Sequence, residues 1–244
     1  MSDYNPQARS IPAQTDMSVD AGLRAFMLGV YNKMGLGLVV SAAVAFAVAT
    51  TPALLQFFFT GPMAYVSIFA PVAIILISSF AMRNPSPASI NIIYWSYVAT
   101  MGLSLAFISA VYAAGYGGGF ITVIKAFLIS AAAFGALSLW GYTTKRDLSG
   151  FGTFLFMGVI GLLIAMVVNM FLQSPALDFV ISGVGVLVFA GLTAFKTQML
   201  KWSYYQLAGD ARQLAVQTTY GALSLYITFM NLFFFILRIL GGRR

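Results

Sequence analysis

Cysteine, histidine and glutamate do not occur among the 244 residues, and all six acidic residues are aspartates. Without Cys there is no disulfide, no thiolate metal site and no thiol nucleophile. Without His the commonest metal ligand and general base are missing, so no cofactor or metal is expected. Charge of either sign is scarce as well: 8% of residues are charged and 60% are hydrophobic. A chain this apolar belongs in a lipid bilayer, not in solution. Its net charge of +7 does not point to nucleic acid, because the basic residues sit mostly at the ends of apolar runs and form no stripe interleaved with exposed aromatics.

An apolar run of about 20 residues crosses a hydrocarbon core of about 30 Å. Seven such runs are present, at 25–50, 63–82, 89–112, 120–139, 151–172, 177–195 and 216–240. They must be helices, since lipid offers no partner to free backbone groups. The breaks carry turn chemistry: Thr60-Gly61-Pro62, Asn84-Pro85-Ser86-Pro87, the glycines between Gly115 and Gly119, and Ser174-Pro175. The sequence therefore predicts an all-α membrane protein with a single seven-helix domain over 25–244. Residues 1–24 read as a mobile cytoplasmic tail. They lack the basic-then-apolar layout of a signal peptide, and their aspartates argue against a mitochondrial presequence. Arg9, Arg24, Lys33, Arg83, Lys145, Arg146, Lys196, Lys201 and Arg212 collect on one side, which predicts a cytoplasmic N-terminus. Seven spans then place Arg243 and Arg244 outside, against that rule. The alternative is a last segment that re-enters and returns.

The charges embedded in the runs are all basic: Lys125, Lys196 and Arg238. Ionisable groups inside a membrane are costly and tend to mark ion paths, proton relays or lipid contacts. In the last run Gly221, Ser224, Thr228 and Asn231 recur every three or four residues, with Arg238 seven beyond, so they share a helix face. Two readings fit: close helix packing with interhelical hydrogen bonds, or the lining of a permeation path. The sixth run ends in Thr193, Lys196, Thr197 and Gln198, where the Lys196 stem is expected to snorkel to water. Lys125 and Arg238 fall near the outer interface, where their stems are expected to snorkel to water, with Asp178 as an alternative partner for either. A serine with neither His nor a placed acid lacks an activating base, so no enzyme is expected.

Three blocks resemble the Bax inhibitor-1 family. They are Gly141-Tyr142-Thr143-Thr144-Lys145-Arg146-Asp147-Leu148-Ser149-Gly150, Gly191-Leu192-Thr193-Ala194-Phe195-Lys196-Thr197-Gln198, and Ala222-Leu223-Ser224-Leu225-Tyr226-Ile227-Thr228-Phe229-Met230-Asn231-Leu232-Phe233. Their order and spacing look most similar to its bacterial YccA-like branch. The resemblance implies a seven-helix fold with the C-terminal helix central among the other six. It also implies either a pH-sensitive calcium leak gated by two aspartates on the sixth and seventh helices, or, in bacteria, modulation of a membrane-anchored AAA protease.

The chain departs from that pattern at both gate positions. Phe195-Lys196-Thr197-Gln198 stands where the family has Tyr-Asp-Thr-Gln, and Ile227-Thr228-Phe229 where it has Leu-Asp-Phe. Arg83 falls where the family carries a basic residue near the gate. Calcium prefers several oxygen ligands with carboxylates among them, so the dyad mechanism is not expected to operate unchanged. Two functions follow: an ion leak without its family gate, its path lined by Ser224, Thr228, Asn231, Thr193 and Thr197, or a regulatory protein that contacts a membrane partner.

Overall fold

The computed structural model describes residues 21–81, 85–115, 118–207 and 209–242. Residues 1–20 of the expected tail, Arg83, Arg243 and Arg244 lie outside the described residues. Among the described residues there are eight helices and no strand: α1 (Ala21–Thr50), α2 (Pro52–Phe59), α3 (Pro62–Ala81), α4 (Pro87–Ala113), α5 (Phe120–Thr143), α6 (Ser149–Leu172), α7 (Pro175–Gln206) and α8 (Ala211–Gly241). The seven expected runs are α1 and α3 to α8. Six of these are long and apolar enough to cross a membrane, and α3, which carries Pro71 inside it, has a shorter apolar core over Phe69–Ser78. Helix α2 is an addition. It begins on Pro52, packs on α3, and accepts the Ser67 hydroxyl at the Phe58 carbonyl at 3.0 Å.

Helix α8 is the centre. It packs against α1, α4, α5 and α7, whereas α6 lies on α7 and α3 on α4. In its most apolar stretch 61% of residues are buried, against 39% for α7 and 11% for α6. Lipid tails are as apolar as leucine, so this arrangement rests on packing and interhelical hydrogen bonds. Tyr226, Phe229, Leu232 and Phe233 are fully enclosed, and Phe134 and Phe127 each meet Phe229 edge-on with centroids 5.6 Å apart. Such aromatic pairs contribute about 0.5–1.5 kcal/mol beyond area burial.

The helix ends follow from their sequences. Ser86 and Ser89 form a reciprocal capping box ahead of α4, with Pro87 in its first turn. Between α6 and α7, Gln173 takes the left-handed conformation (φ 49°) and the Asn169 side chain accepts the Ser174 amide at 3.0 Å. Asp210 caps α8 by accepting the Gln213 amide at 2.9 Å, and that bond holds its carboxyl below the usual carboxylate range. Because the folded value is depressed, this cap is present above the ordinary carboxylate pKa and lost as pH falls through the folded one. Hydrogen exchange should then show the Gln213 amide protected at neutral pH and released in strong acid; equal protection in Asp210→Ala would refute the cap. Asp147 is held low in the same way, by the hydroxyl and then the amide of Ser149.

The two ends of α8 settle how it runs. Thr219, near its start, bonds Lys33 of α1, and Arg238, near its end, pairs with Asp178 in the first turn of α7 at 3.5 Å. The helix therefore passes once through the bundle and ends opposite the start of α1. The re-entrant alternative does not hold over Ala211–Gly241.

Candidate functional site

Helix α7 does not stop near Phe195, as the apolar run suggested, but continues to Gln206. Its last turns are held by polar bonds to the α5–α6 connection. The Gln198 carboxamide donates to the Arg146 carbonyl (2.7 Å) and accepts the Leu148 amide (2.8 Å), while the Lys201 ammonium donates to the Tyr142 carbonyl (3.0 Å) near the C-terminus of α5. Lys196 consequently lies well inside the helix, about 15 Å from its end at 1.5 Å per residue. Its ammonium does not snorkel out. It turns to α8 and donates to the Ser224 carbonyl at 3.4 Å.

Thr228 meets the same atom. Its fully buried hydroxyl donates to the Ser224 carbonyl at 2.8 Å. The two positions matched above to the family's aspartates thus converge on one carbonyl oxygen. Lys196 remains half-buried, consistent with the cost of enclosing a cation whose partner is neutral.

The other expected lining residues turn to their own helices. Thr193 donates to the Phe189 carbonyl (2.8 Å), Thr197 to the Thr193 carbonyl (2.9 Å) and Asn231 to the Ile227 carbonyl (2.8 Å). These bonds, each to a carbonyl four residues back, satisfy polar groups without an ion, and among the described residues no buried side-chain nitrogen or oxygen lacks a partner. Ser224 and Asn231 stay half-buried. Gly221 is a packing residue, since a Cβ there would lie 2.5 Å from the Leu200 side chain. At the opposite end Asp178 takes Arg238, and Lys125 is exposed on α5.

Sequence reasoning treated Lys33 as a topology marker and overlooked its inward role. Its ammonium donates to Thr219 of α8 at 2.7 Å and to the Asn91 carboxamide of α4, and the Tyr94 hydroxyl donates to its carbonyl at 2.6 Å. Two cations therefore face α8, at Thr219 and Ser224, about 7.5 Å apart along its axis. The described acids, Asp147, Asp178 and Asp210, all sit at helix ends. Two hydroxyl chains also went unread: Tyr31 to Ser138 to Thr197 (2.9 Å for the second step), linking α1, α5 and α7, and Tyr226 to Ser41 (2.6 Å), which in turn donates to the Val98 carbonyl (2.8 Å). A lone Ser or Tyr in an apolar run was their only sequence signal.

Gln198 offers a direct check of this frame. Gln198→Leu would leave the Arg146 carbonyl and the buried Leu148 amide without their partner, at about 1–3 kcal/mol for a stranded group. Faster exchange of the Leu148 amide and a lower unfolding temperature are expected. An unchanged Leu148 amide would show that the loop is held some other way.

A central helix enclosed by α1, α4, α5 and α7, in a bundle with six helices long and apolar enough to cross a membrane, defines a multi-pass α-helical membrane protein. The family described as "Inhibitor of apoptosis-promoting Bax1" matches residues 23–244, and the chain belongs to this Bax inhibitor-1 family. It is 51% identical to an uncharacterized protein of Caulobacter vibrioides over the full length of both. It is 40% identical to the inner membrane protein YbhL of Escherichia coli K12, over 92% of this chain and 94% of the relative. An uncharacterized protein of Rickettsia prowazekii is 36% identical over 92% of each.

Proposed function

We propose that this chain is a non-enzymatic ion leak of the inner membrane, its centre latched by Lys196 and closed to divalent cations. The observation that carries this reading is the Lys196 ammonium on the Ser224 carbonyl, joined there by Thr228. An ammonium at about 6 Å repels a doubly charged ion by on the order of 5 kcal/mol in an effective dielectric of about 20, and Lys33 of α1 adds a second cation at Thr219. A monovalent ion meets half of that, and the neutral oxygens of Ser224, Thr228 and Asn231 suit it better than calcium. Purified chain in vesicles tests the leak through potassium flux. Flux above protein-free vesicles supports it, and no flux at any pH between about 5 and 8, a window spanning raised carboxylate pKa values, overturns it.

The proposed orientation places the N-terminus in the cytoplasm. Arg24, Lys33, Lys145, Arg146, Lys201 and Arg212 fall at the end of the bundle where α1 starts, and the opposite end carries Lys125 and the Arg238–Asp178 pair. A reporter enzyme that works only outside the cytoplasm should be active when fused after Arg244 and silent when fused before Met1. The reverse pattern would invert the assignment.

A second reading has one specific observation behind it. Lys145 and Arg146 are exposed on a connection that Gln198 and Lys201 hold in a fixed shape, which suits a docking surface for an acidic partner such as a membrane-anchored AAA protease. Recovery of a partner by crosslinking, lost with Lys145→Glu and Arg146→Glu, would favour it. Undiminished recovery with both changes would refute it.

A further inference from the structure

Helices α1 and α5 both lean on α8, yet their backbones do not approach one another. At the basic end the gap between them is a cleft of about 500 Å³, and the residues that shape it include Arg24, Leu28, Tyr31, Gly135, Ser138 and Tyr142. Its chemistry is graded with depth. Arg24 is exposed at the rim. Tyr142 stands opposite on α5 beneath the Lys201 ammonium, 5.5 Å from its ring centroid. Two turns deeper, about 10 Å down the helix, the Tyr31 hydroxyl is bonded to Ser138. The walls are apolar and half open to the side, with Leu28 50% and Leu139 64% exposed. Among the described residues no acid lines the cleft.

We propose that this cleft is a binding site for one anionic phospholipid of the surrounding leaflet. The phosphate sits at the rim on Arg24 with the Lys201 charge nearby, the glycerol ester region lies level with the Tyr31 and Ser138 hydroxyls, and an acyl chain fills the apolar slot against Phe134. Three features match this ligand together: a cationic rim, hydroxyls at ester depth and a lateral opening into the bilayer. A zwitterionic lipid places its own cation against Arg24 and gains less, and a soluble phosphate has no use for the slot. Basic pockets between transmembrane helices are a recurring form of anionic headgroup recognition, and arginine is the side chain best fitted to hold a phosphate by paired hydrogen bonds. The bound chain would also cover the side of the Tyr31–Ser138–Thr197 connection and so brace α1 and α5, which share little direct packing.

The test is native mass spectrometry of the full chain in detergent, after addition of phosphatidylglycerol or phosphatidylcholine with identical acyl chains. One phosphatidylglycerol per chain should be retained in clear preference to phosphatidylcholine. Gly135→Leu fills the cleft without displacing protein, because a Cβ at Gly135 has no neighbour within 4 Å. It should remove the bound lipid without lowering the unfolding temperature measured in lipid-free detergent, and it should cancel any rise in that temperature on adding phosphatidylglycerol. Arg24→Gln should weaken phosphatidylglycerol retention about five- to tenfold and leave phosphatidylcholine unchanged. Equal retention of the two lipids, retention undiminished in Gly135→Leu, no retained lipid, or a transmembrane peptide held in its place would each overturn the proposal.

Discussion

Replacing Gly141 with leucine is expected to abolish accumulation of the folded protein in the membrane. Gly141 sits near the end of α5, where that helix rides directly on the backbone of α7. A Cβ there would lie 2.3 Å from the Ala194 carbonyl oxygen and 2.8 Å from the Ala194 Cα. The obstructing atoms are backbone, so no side chain can rotate away, and the two helices would have to separate. Separation breaks the Tyr142 carbonyl bond to Lys201, the Ser138–Thr197 hydroxyl bond and the Gln198 hold on the loop together. Core overpacking costs about 1–3 kcal/mol where side chains can shift, and here the loss should exceed that and exhaust a stability of about 5–15 kcal/mol. Membrane-fraction yield and detergent monodispersity provide the measurement. Gly141→Leu folding with an unchanged unfolding temperature would mean that α5 and α7 are not packed at this height. Since Ala194 lies two residues before Lys196, the contact also sets the height at which the ammonium meets α8.

Lys196→Asp combined with Thr228→Asp is expected to create calcium movement that the natural chain lacks. In the natural chain both side chains turn to one carbonyl oxygen, so two carboxylates at these positions face the same point and are expected to share a proton. Two such groups titrate as a pair with one apparent pKa raised, which makes calcium movement sensitive to acid. The exchange removes a cation that opposes a divalent ion and supplies the oxygen ligands calcium prefers. Each 1.4 kcal/mol is a factor of ten, so a rise of about tenfold or more over the natural chain should be seen in dye-loaded vesicles. Equal behaviour of the two proteins would show that these positions do not control a path.

Much of this was legible in the sequence, for identifiable reasons. Uninterrupted apolar runs and proline or glycine breaks gave all seven long helices, and the order of three polar blocks gave the family and with it the central α8. Asp178 was legible only as an alternative partner for Lys125 or Arg238, because all three lie near the same interface, and the structure pairs it with Arg238. Helix α2 was missed because eight residues behind a Thr-Thr-Pro sequence are too short to read as a span. The snorkelling expected of Lys196 failed because α7 runs on to Gln206, carried past its apolar part by the bonds of Gln198 and Lys201 to the α5–α6 connection. Those bonds are between residues far apart in the chain, and no periodicity reports them. The inward turn of Lys33 was hidden for the same reason, since Asn91 and Thr219 come from two other helices. On the polar stripe of α8 the sequence showed the shared face but not the bonds: a Cβ at Gly221 would meet Leu200, and Thr228 and Asn231 bond carbonyls of their own helix.

Two ammonium groups, at Thr219 and Ser224, and no carboxylate among the described residues, face the middle of the central helix, while Asp178 and Asp210 meet only its ends. Calcium entry into dye-loaded vesicles carrying the unaltered chain, followed from about pH 8 to about pH 5, tests this most directly. Calcium movement should stay at the level of protein-free vesicles throughout. Calcium movement that changes with acid in the unaltered chain would contradict the lysine latch.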